Sequence, residues 1–336
     1  MTSTALRRAA AALGIVGILG LTACAPTPSE DRPQAVATPA VHTHPPVPTV
    51  SPTATPQPEP THGLCDAGSM LAIWAHYDDD LIFGHGRVME ALEADKCVTI
   101  AYLSAGDAGR GVEYSRGREQ GIRDAYDRLR GYSGAWGEEA DVLETGVTVE
   151  QWRPADDPRL VLLSFRLVDG NIDGSGFEAM GYESLGKLAA GTIPTVRDVD
   201  GPEHLTIDDI THSLAEIIAD ADPDEIVTGM PVEAGELSRG DHSDHATGAS
   251  FARAAWRSAG IDAELVTLAI GYQTADYDVN LDGETLQRKV DGFSAYAAKD
   301  PVTANCIDLD SCLGMRFFGP LLQREYSRSA AEVPMD

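Results

Sequence analysis

Apolar and polar residues follow two rhythms along this chain. Short continuous apolar runs occur at residues 71–75, 98–103, 160–165, 225–228 and 264–270, each the length of a strand buried on both faces. Between several of them lie helix-like stretches, notably 115–130, 206–220 and 245–258. Strands alternating with helices imply βαβ units. The expected fold is therefore α/β and Rossmann-like, a mainly parallel sheet flanked by helices in a single domain. The span 131–159, rich in Gly, Trp and acidic residues, has no clear period and reads as a loop over the site or as irregular surface.

The first 61 residues follow neither rhythm. Arg7 and Arg8 precede an apolar run from Ala9 to Ala23, the layout of an export signal, too short and wrongly flanked for a transmembrane helix. The run ends in Leu21-Thr22-Ala23-Cys24, which resembles the bacterial lipobox, whose cysteine is diacylated and becomes the mature N-terminus. The other reading is an ordinary cleaved signal with a chance cysteine. Residues 24–61 are mostly Pro, Thr, Ala, Ser and Val, a composition that cannot bury a core and behaves as an extended tether. The expected organisation is a lipoprotein signal peptide at 1–23, a tether at 24–61 and a catalytic domain at 62–336. Lipid on Cys24 would hold the domain to the extracytoplasmic face of the cell membrane.

With 25 Lys and Arg against 53 Asp and Glu, the net charge is −28. Such a surface argues against nucleic acid as a partner and favours a neutral or cationic substrate. Export leads to an oxidising compartment, so Cys65, Cys97, Cys306 and Cys312 are read as two disulfides. Cys65 with Cys97 is the favoured pair, because each precedes a strand-like run and neighbouring parallel strands would bring those starts together. Cys306 with Cys312 would close a small loop.

The first apolar run ends in His76-Tyr77-Asp78-Asp79-Asp80. No fold requires an imidazole and three carboxylates at the end of a buried strand, and their desolvation calls for a cation or a tight hydrogen-bond network. That end is also where open α/β sheets bind ligands. A second constellation, Gly240-Asp241-His242-Ser243-Asp244-His245, opens the helical stretch at 245, so His242 and His245 can face the same way. Serine or aspartate there can cap the helix. Two imidazoles and a carboxylate, with one position open to water, are a usual shell for a hydrolytic zinc, and the same set also describes ferrous iron. An unliganded carboxylate alongside can take a proton during attack.

Together the two motifs resemble those of the LmbE-like, or PIG-L, family of zinc-dependent de-N-acetylases, which read Ala-His-Pro-Asp-Asp-Glu and His-Pro-Asp-His. Here they are Ala75-His76-Tyr77-Asp78-Asp79-Asp80 and His242-Ser243-Asp244-His245, and the similarity extends through Ala105-Gly106-Asp107-Ala108-Gly109 and Arg116-Gly117-Arg118-Glu119. The resemblance implies that His76, Asp79 and His245 bind zinc, with Fe2+ the alternative, while Asp78 is the general base. It implies that His242 stabilises the oxyanion or protonates the leaving amine, and that Asp244 orients a neighbouring histidine. Arg116 and Asp169 are candidates for sugar hydroxyl contacts or for structural ion pairs. Tyr77, Asp80 and Ser243 depart from the family's Pro, Glu and Pro, which bears on the geometry around the ligands rather than on the ligands.

The implied activity is hydrolysis of an N-acetyl group on an amino sugar, in an N-acetylglucosaminyl-type glycan or glycolipid, outside the cytoplasm. Two other readings compete. A magnesium-dependent phosphohydrolase would use Asp78 and Asp80 as an Asp-x-Asp pair, leaving His76, His242 and His245 without a task. A non-catalytic glycan-binding lipoprotein would keep the site as a structural metal centre.

Overall fold

In the computed structural model, which describes residues 64–335, the first apolar run forms β1 (Ser69–Trp74), buried throughout. Side chains alternate across a strand, so Leu71 and Ile73 enter the core on one face while Met70, Ala72 and Trp74 enter the core on the other. With no solvent face, residues 70–74 hold no polar side chain. The expected signal peptide, the tether and Cys24 lie outside the described residues.

Along the chain follow α1 (Asp79–Phe83), α2 (His85–Glu93), β2 (Cys97–Ser104), α3 (Val112–Arg130), β3 (Trp136–Val142), β4 (Thr148–Pro154) and β5 (Leu160–Leu167). Next come α4 (Leu185–Ala189), β6 (Val196–Arg197), β7 (His204–Leu205), α5 (Ile207–Ala221), β8 (Glu225–Gly229), α6 (Ser243–Ser258) and β9 (Val266–Ala269). The last part holds α7 (Gly283–Ala297), α8 (Leu309–Leu313), α9 (Phe318–Leu322) and β10 (Ser327–Ser329). Among the described residues no helix is long and apolar enough to cross a membrane.

The main sheet has the order β10-β9-β8-β1-β2-β5-β4-β3, and β6 and β7 pair separately. The strands from β9 to β5 run parallel, while β10 at one edge and β4 and β3 at the other are antiparallel. From β1 the chain moves outward to β2 and β5, then returns to lay β8 and β9 on the opposite side. The strand order therefore reverses between β1 and β8, which opens a crevice at their carboxyl ends. α5 and α6 pack on one face of the sheet, α3 and α7 on the other.

The α/β alternation is as expected, with one correction. Residues 131–159, read as loop or irregular surface, contain the β3–β4 hairpin. β3 is an edge strand exposed from Gly137 to Val142, so it has no inward and outward alternation to reveal it.

Both expected disulfides are formed, Cys65–Cys97 and Cys306–Cys312. Strand register explains the first. Ser69 pairs with Cys97 across β1 and β2, and a turn in which Gly68 N donates to Cys65 O folds Cys65 back onto the start of β2. The bridged cysteines are 32 residues apart in one pair and 6 in the other. A wider loop constrains the unfolded chain more, so replacing Cys65 and Cys97 by Ala is expected to remove about 3–4 kcal/mol of stability. Replacing Cys306 and Cys312 should remove about 2 kcal/mol, both read from urea unfolding curves.

Candidate metal centre

The site is built where β1 and α6 meet. After β1, His76 N donates to Asp79 Oδ2 at 2.8 Å, closing a turn that aims Asp79 back beside His76 and starts α1. Tyr77, at the family's proline position, is fully buried, and its hydroxyl shares a hydrogen bond with Ser164 Oγ at 2.8 Å. Packing thus fixes the bend that a proline ring would otherwise stiffen. Asp80 accepts a short hydrogen bond from the Tyr126 hydroxyl, and burial pushes its carboxyl up to about 7.

His76, Asp79 and His245 point at one another. His245 Nε2 is 3.0 Å from Asp79 Oδ1 and 3.1 Å from His76 Nδ1, and Asp79 Oδ2 is 3.7 Å from His76 Nδ1. A tetrahedral ion with bonds near 2.0 Å has ligand-to-ligand edges of about 3.3 Å, so His76 Nδ1, His245 Nε2 and the Asp79 carboxylate lie at separations that suit three ligands of a single small cation. All three side chains are buried. Burial alone would lower both imidazoles. The Asp244 and Asp79 carboxylates nonetheless hold His76 up at about 10, and Asp79 with Asp241 holds His245 well above its ordinary value. A pocket that draws protons onto buried imidazoles carries surplus negative charge, which a divalent metal balances by displacing those protons. The donor set fits such an ion.

Each of the two imidazoles has a carboxylate on its far side. Asp241 Oδ1 lies 2.9 Å from His245 Nδ1, and Asp244 Oδ2 lies 3.6 Å from His76 Nε2. The Asp241 contact is a hydrogen bond, which fixes the His245 ring and directs the lone pair of its other nitrogen toward a metal, while Asp244 acts on His76 through its nearby charge. Two other groups of donors within 4.8 Å of one another overlap this one: His76 with His242 and His245, and His76 with Asp169, His242 and Asp244. In the four-residue group His76 Nε2 lies 3.6 Å from Asp244 and 3.8 Å from Asp169, with no pair as close as the 3.0 and 3.1 Å about His245 Nε2, and Asp244 Oδ2 already accepts from Gly170 N at 2.7 Å. The Asp79 side is the better fit to one ion.

His242, rather than the expected serine or aspartate, caps α6, its Nδ1 accepting from Asp244 N at 3.1 Å. Burial and the neighbouring His76 charge press it down to about 3, so the ring is neutral. With Nδ1 accepting, its proton sits on Nε2, which is 3.9 Å from Asp169 Oδ1. Asp78 Oδ1 accepts from Arg118 Nη2 at 2.6 Å. Burial pushes the Asp78 carboxyl up, against the opposing pull of Arg118.

Asp169 thus joins the cluster. Arg116 does not: it is exposed and lies 3.7 Å from Asp200 and 3.8 Å from Glu113, in ion pairs at the surface. Three participants were missed in the sequence. Asp241 flanks the second motif, and its Oδ1 also accepts from His242 N at 2.9 Å and Tyr272 N at 3.2 Å. Arg118 lies inside a stretch that shares the family resemblance, where its charge amid buried acids was the available signal. Tyr272 follows β9, with its ring 5.1 Å from that of His245, and only the fold reveals it. Gly271 is required beside it, because a Cβ there would run into the Asp241 carboxylate. Asp241→Ala is expected to weaken metal binding about 10- to 100-fold, measured by competition with a chromogenic chelator.

Residues 71–256 match the family described as PIG-L, GlcNAc-PI de-N-acetylase, a span that runs from β1 into α6 and so holds both donor-bearing segments. Among solved structures, the A40926 pseudoaglycone deacetylase Dbv21 aligns at 16% identity and a TM-score of 0.43, covering 74% of this chain and 89% of that one. The zinc-inhibited form of teicoplanin deacetylase Orf2 aligns at 17% identity and 0.41, covering 72% and 90%. The conserved protein TT1542 of Thermus thermophilus aligns at 16% and 0.37, covering 78% and 93%. No curated protein matches the chain significantly. With more than half of its length inside the family match, the chain belongs to the PIG-L family and is a metal-dependent deacetylase acting on N-acetylated amino sugars.

Proposed function

We propose that this protein removes the acetyl group from an N-acetylglucosaminyl-type glycan or glycolipid outside the cytoplasm, tethered to the membrane through lipid on Cys24. The observation that carries the chemistry is the meeting of His76, Asp79 and His245 donors within 3.7 Å, with Asp78 one residue from a donor. The surface charge of −28 favours a neutral or cationic saccharide. Zinc is the proposed ion, with ferrous iron as the alternative.

His76, Asp79 and His245 would hold the ion, which when bound polarises the acetyl carbonyl and acidifies the attacking water. Asp78 accepts the water's proton, its raised carboxyl being better matched to that task than an ordinary aspartate. Neutral His242 presents Nε2–H as a donor to the carbonyl oxygen as negative charge develops there. Its tautomer favours this role over delivering a proton to the amine. Asp78 then passes its proton to the leaving nitrogen, the C–N bond breaks, and acetate and a free amino sugar remain. Asp169, beside His242, is the better placed of the two candidates for a sugar hydroxyl.

The magnesium phosphohydrolase reading loses its ligand pair, because Asp80 is bonded to Tyr126 and Asp78 to Arg118. Family membership sets aside the non-catalytic reading. Purified protein should release acetate from N-acetylglucosaminyl substrates, stop on chelation and recover with added zinc, and release of phosphate from a phosphate ester without acetate would overturn the proposal. Asp78→Ala is expected to slow acetate release by about a hundredfold to ten-thousandfold while metal content stays intact. Cys24→Ser should shift the protein from the membrane fraction to the soluble fraction, as followed by immunoblot.

A further inference from the structure

The two motifs supply the donors but not what holds Asp78 in place. Its partner Arg118 has every edge of its guanidinium engaged: Nη2 on Asp78 Oδ1 at 2.6 Å, Nη1 on Gly106 O at 2.6 Å, and Nε on the Tyr296 hydroxyl. Asp300 closes the arrangement. Its Oδ2 lies 3.6 Å from Arg118 Nε and accepts from the Tyr296 hydroxyl at 3.3 Å. Its Oδ1 accepts from the Tyr114 hydroxyl at 2.7 Å and from Val302 N at 2.9 Å. Asp78, Arg118, Tyr296 and Asp300 are 6%, 7%, 0% and 3% exposed, so solvent does not compete for any of these bonds.

A guanidinium paired with one carboxylate can still pivot. Because its donors lie in a fixed plane, anchoring the opposite edge leaves a single orientation. The α3 helix is shaped for this approach. A Cβ at Gly121 would meet the Tyr296 carbonyl at 2.8 Å and one at Gly117 would meet the Lys299 carbonyl at 3.0 Å, so these two glycines let the end of α7 come close enough for Tyr296 and Asp300 to reach Arg118.

We propose that Asp300 is a positioning residue: it fixes Arg118 and, through Arg118, the carboxylate of Asp78. The proposal rests on the reading of Asp78 as the base. Asp300 lies beyond residue 256, where the family match ends, whereas Arg118 lies within it, so the brace joins the C-terminal part of the chain to the motif-bearing part.

The test compares Asp300→Asn, Arg118→Lys and the double variant in the full-length protein. Asp300→Asn should lower kcat at least tenfold with KM and bound metal unchanged, and Asp300→Glu should recover part of that loss. The double variant should be no slower than Arg118→Lys alone, because both changes act through the same carboxylate. Losses that multiply, or a fall in kcat that only tracks lost metal or lost folded protein, would overturn the proposal. Crystal structures of the wild type and Asp300→Asn give a reading independent of turnover: a displaced or split Asp78 supports the brace, and an unmoved Asp78 still bonded to Arg118 overturns it. Should the wild type release no acetate, the functional reading fails by itself, and the crystallographic comparison still decides this one.

Discussion

Three consecutive carboxylates, placed where water scarcely reaches, set the terms for everything around them. Each must find a different partner, because like charges so close cannot share one. The turn from β1 into α1 separates them by rotating successive side chains about the helix axis. Asp79 goes to the imidazoles, Asp78 to the Arg118 guanidinium and Asp80 to the Tyr126 phenol. One short turn thereby yields an ion-binding carboxylate, a proton acceptor and a hydrogen-bonded anchor.

The sheet topology brings those partners to the turn. Reversal of strand order beside β1 places the loop after β8, and the start of α6, directly opposite His76. α3 follows β2 on the other face and carries Arg118 inward. Close backbone passage completes the assembly: Gly271 leaves room for Asp241, Gly170 leaves room for Asp244, and Gly117 and Gly121 admit the end of α7. These glycines are needed for what their missing side chains would strike.

Much of this was readable in the sequence, for physical reasons that differ by element. β1, β2, β5, β8 and β9 announced themselves as continuous apolar runs because they are buried on both faces. β3 did not, since an exposed edge strand has no core side to mark. His76, Asp79, His242 and His245 stood out because ionisable groups beside buried elements require an explanation. The Cys65–Cys97 bridge followed from the parallel register of β1 and β2. Asp241, Arg118, Tyr272 and Asp300 could not be assigned in the same way: acids and tyrosines are common, and their roles arise only when loops from distant strands converge. Tyr77 and Asp80 looked like weaknesses against the family pattern, and each turns out to be held by a buried hydrogen bond that the linear motif does not display.

The position of β9 and β10 has a practical corollary. Both strands lie beyond residue 256, where the family match ends, yet β9 pairs with β8 through Ile226–Gly229, and β10 in turn covers β9. A fragment trimmed at that limit would keep every motif residue and present the bare flank of β8, a ready template for strand-to-strand aggregation. Expression boundaries for this protein are therefore better drawn after β10 than at the end of the family match.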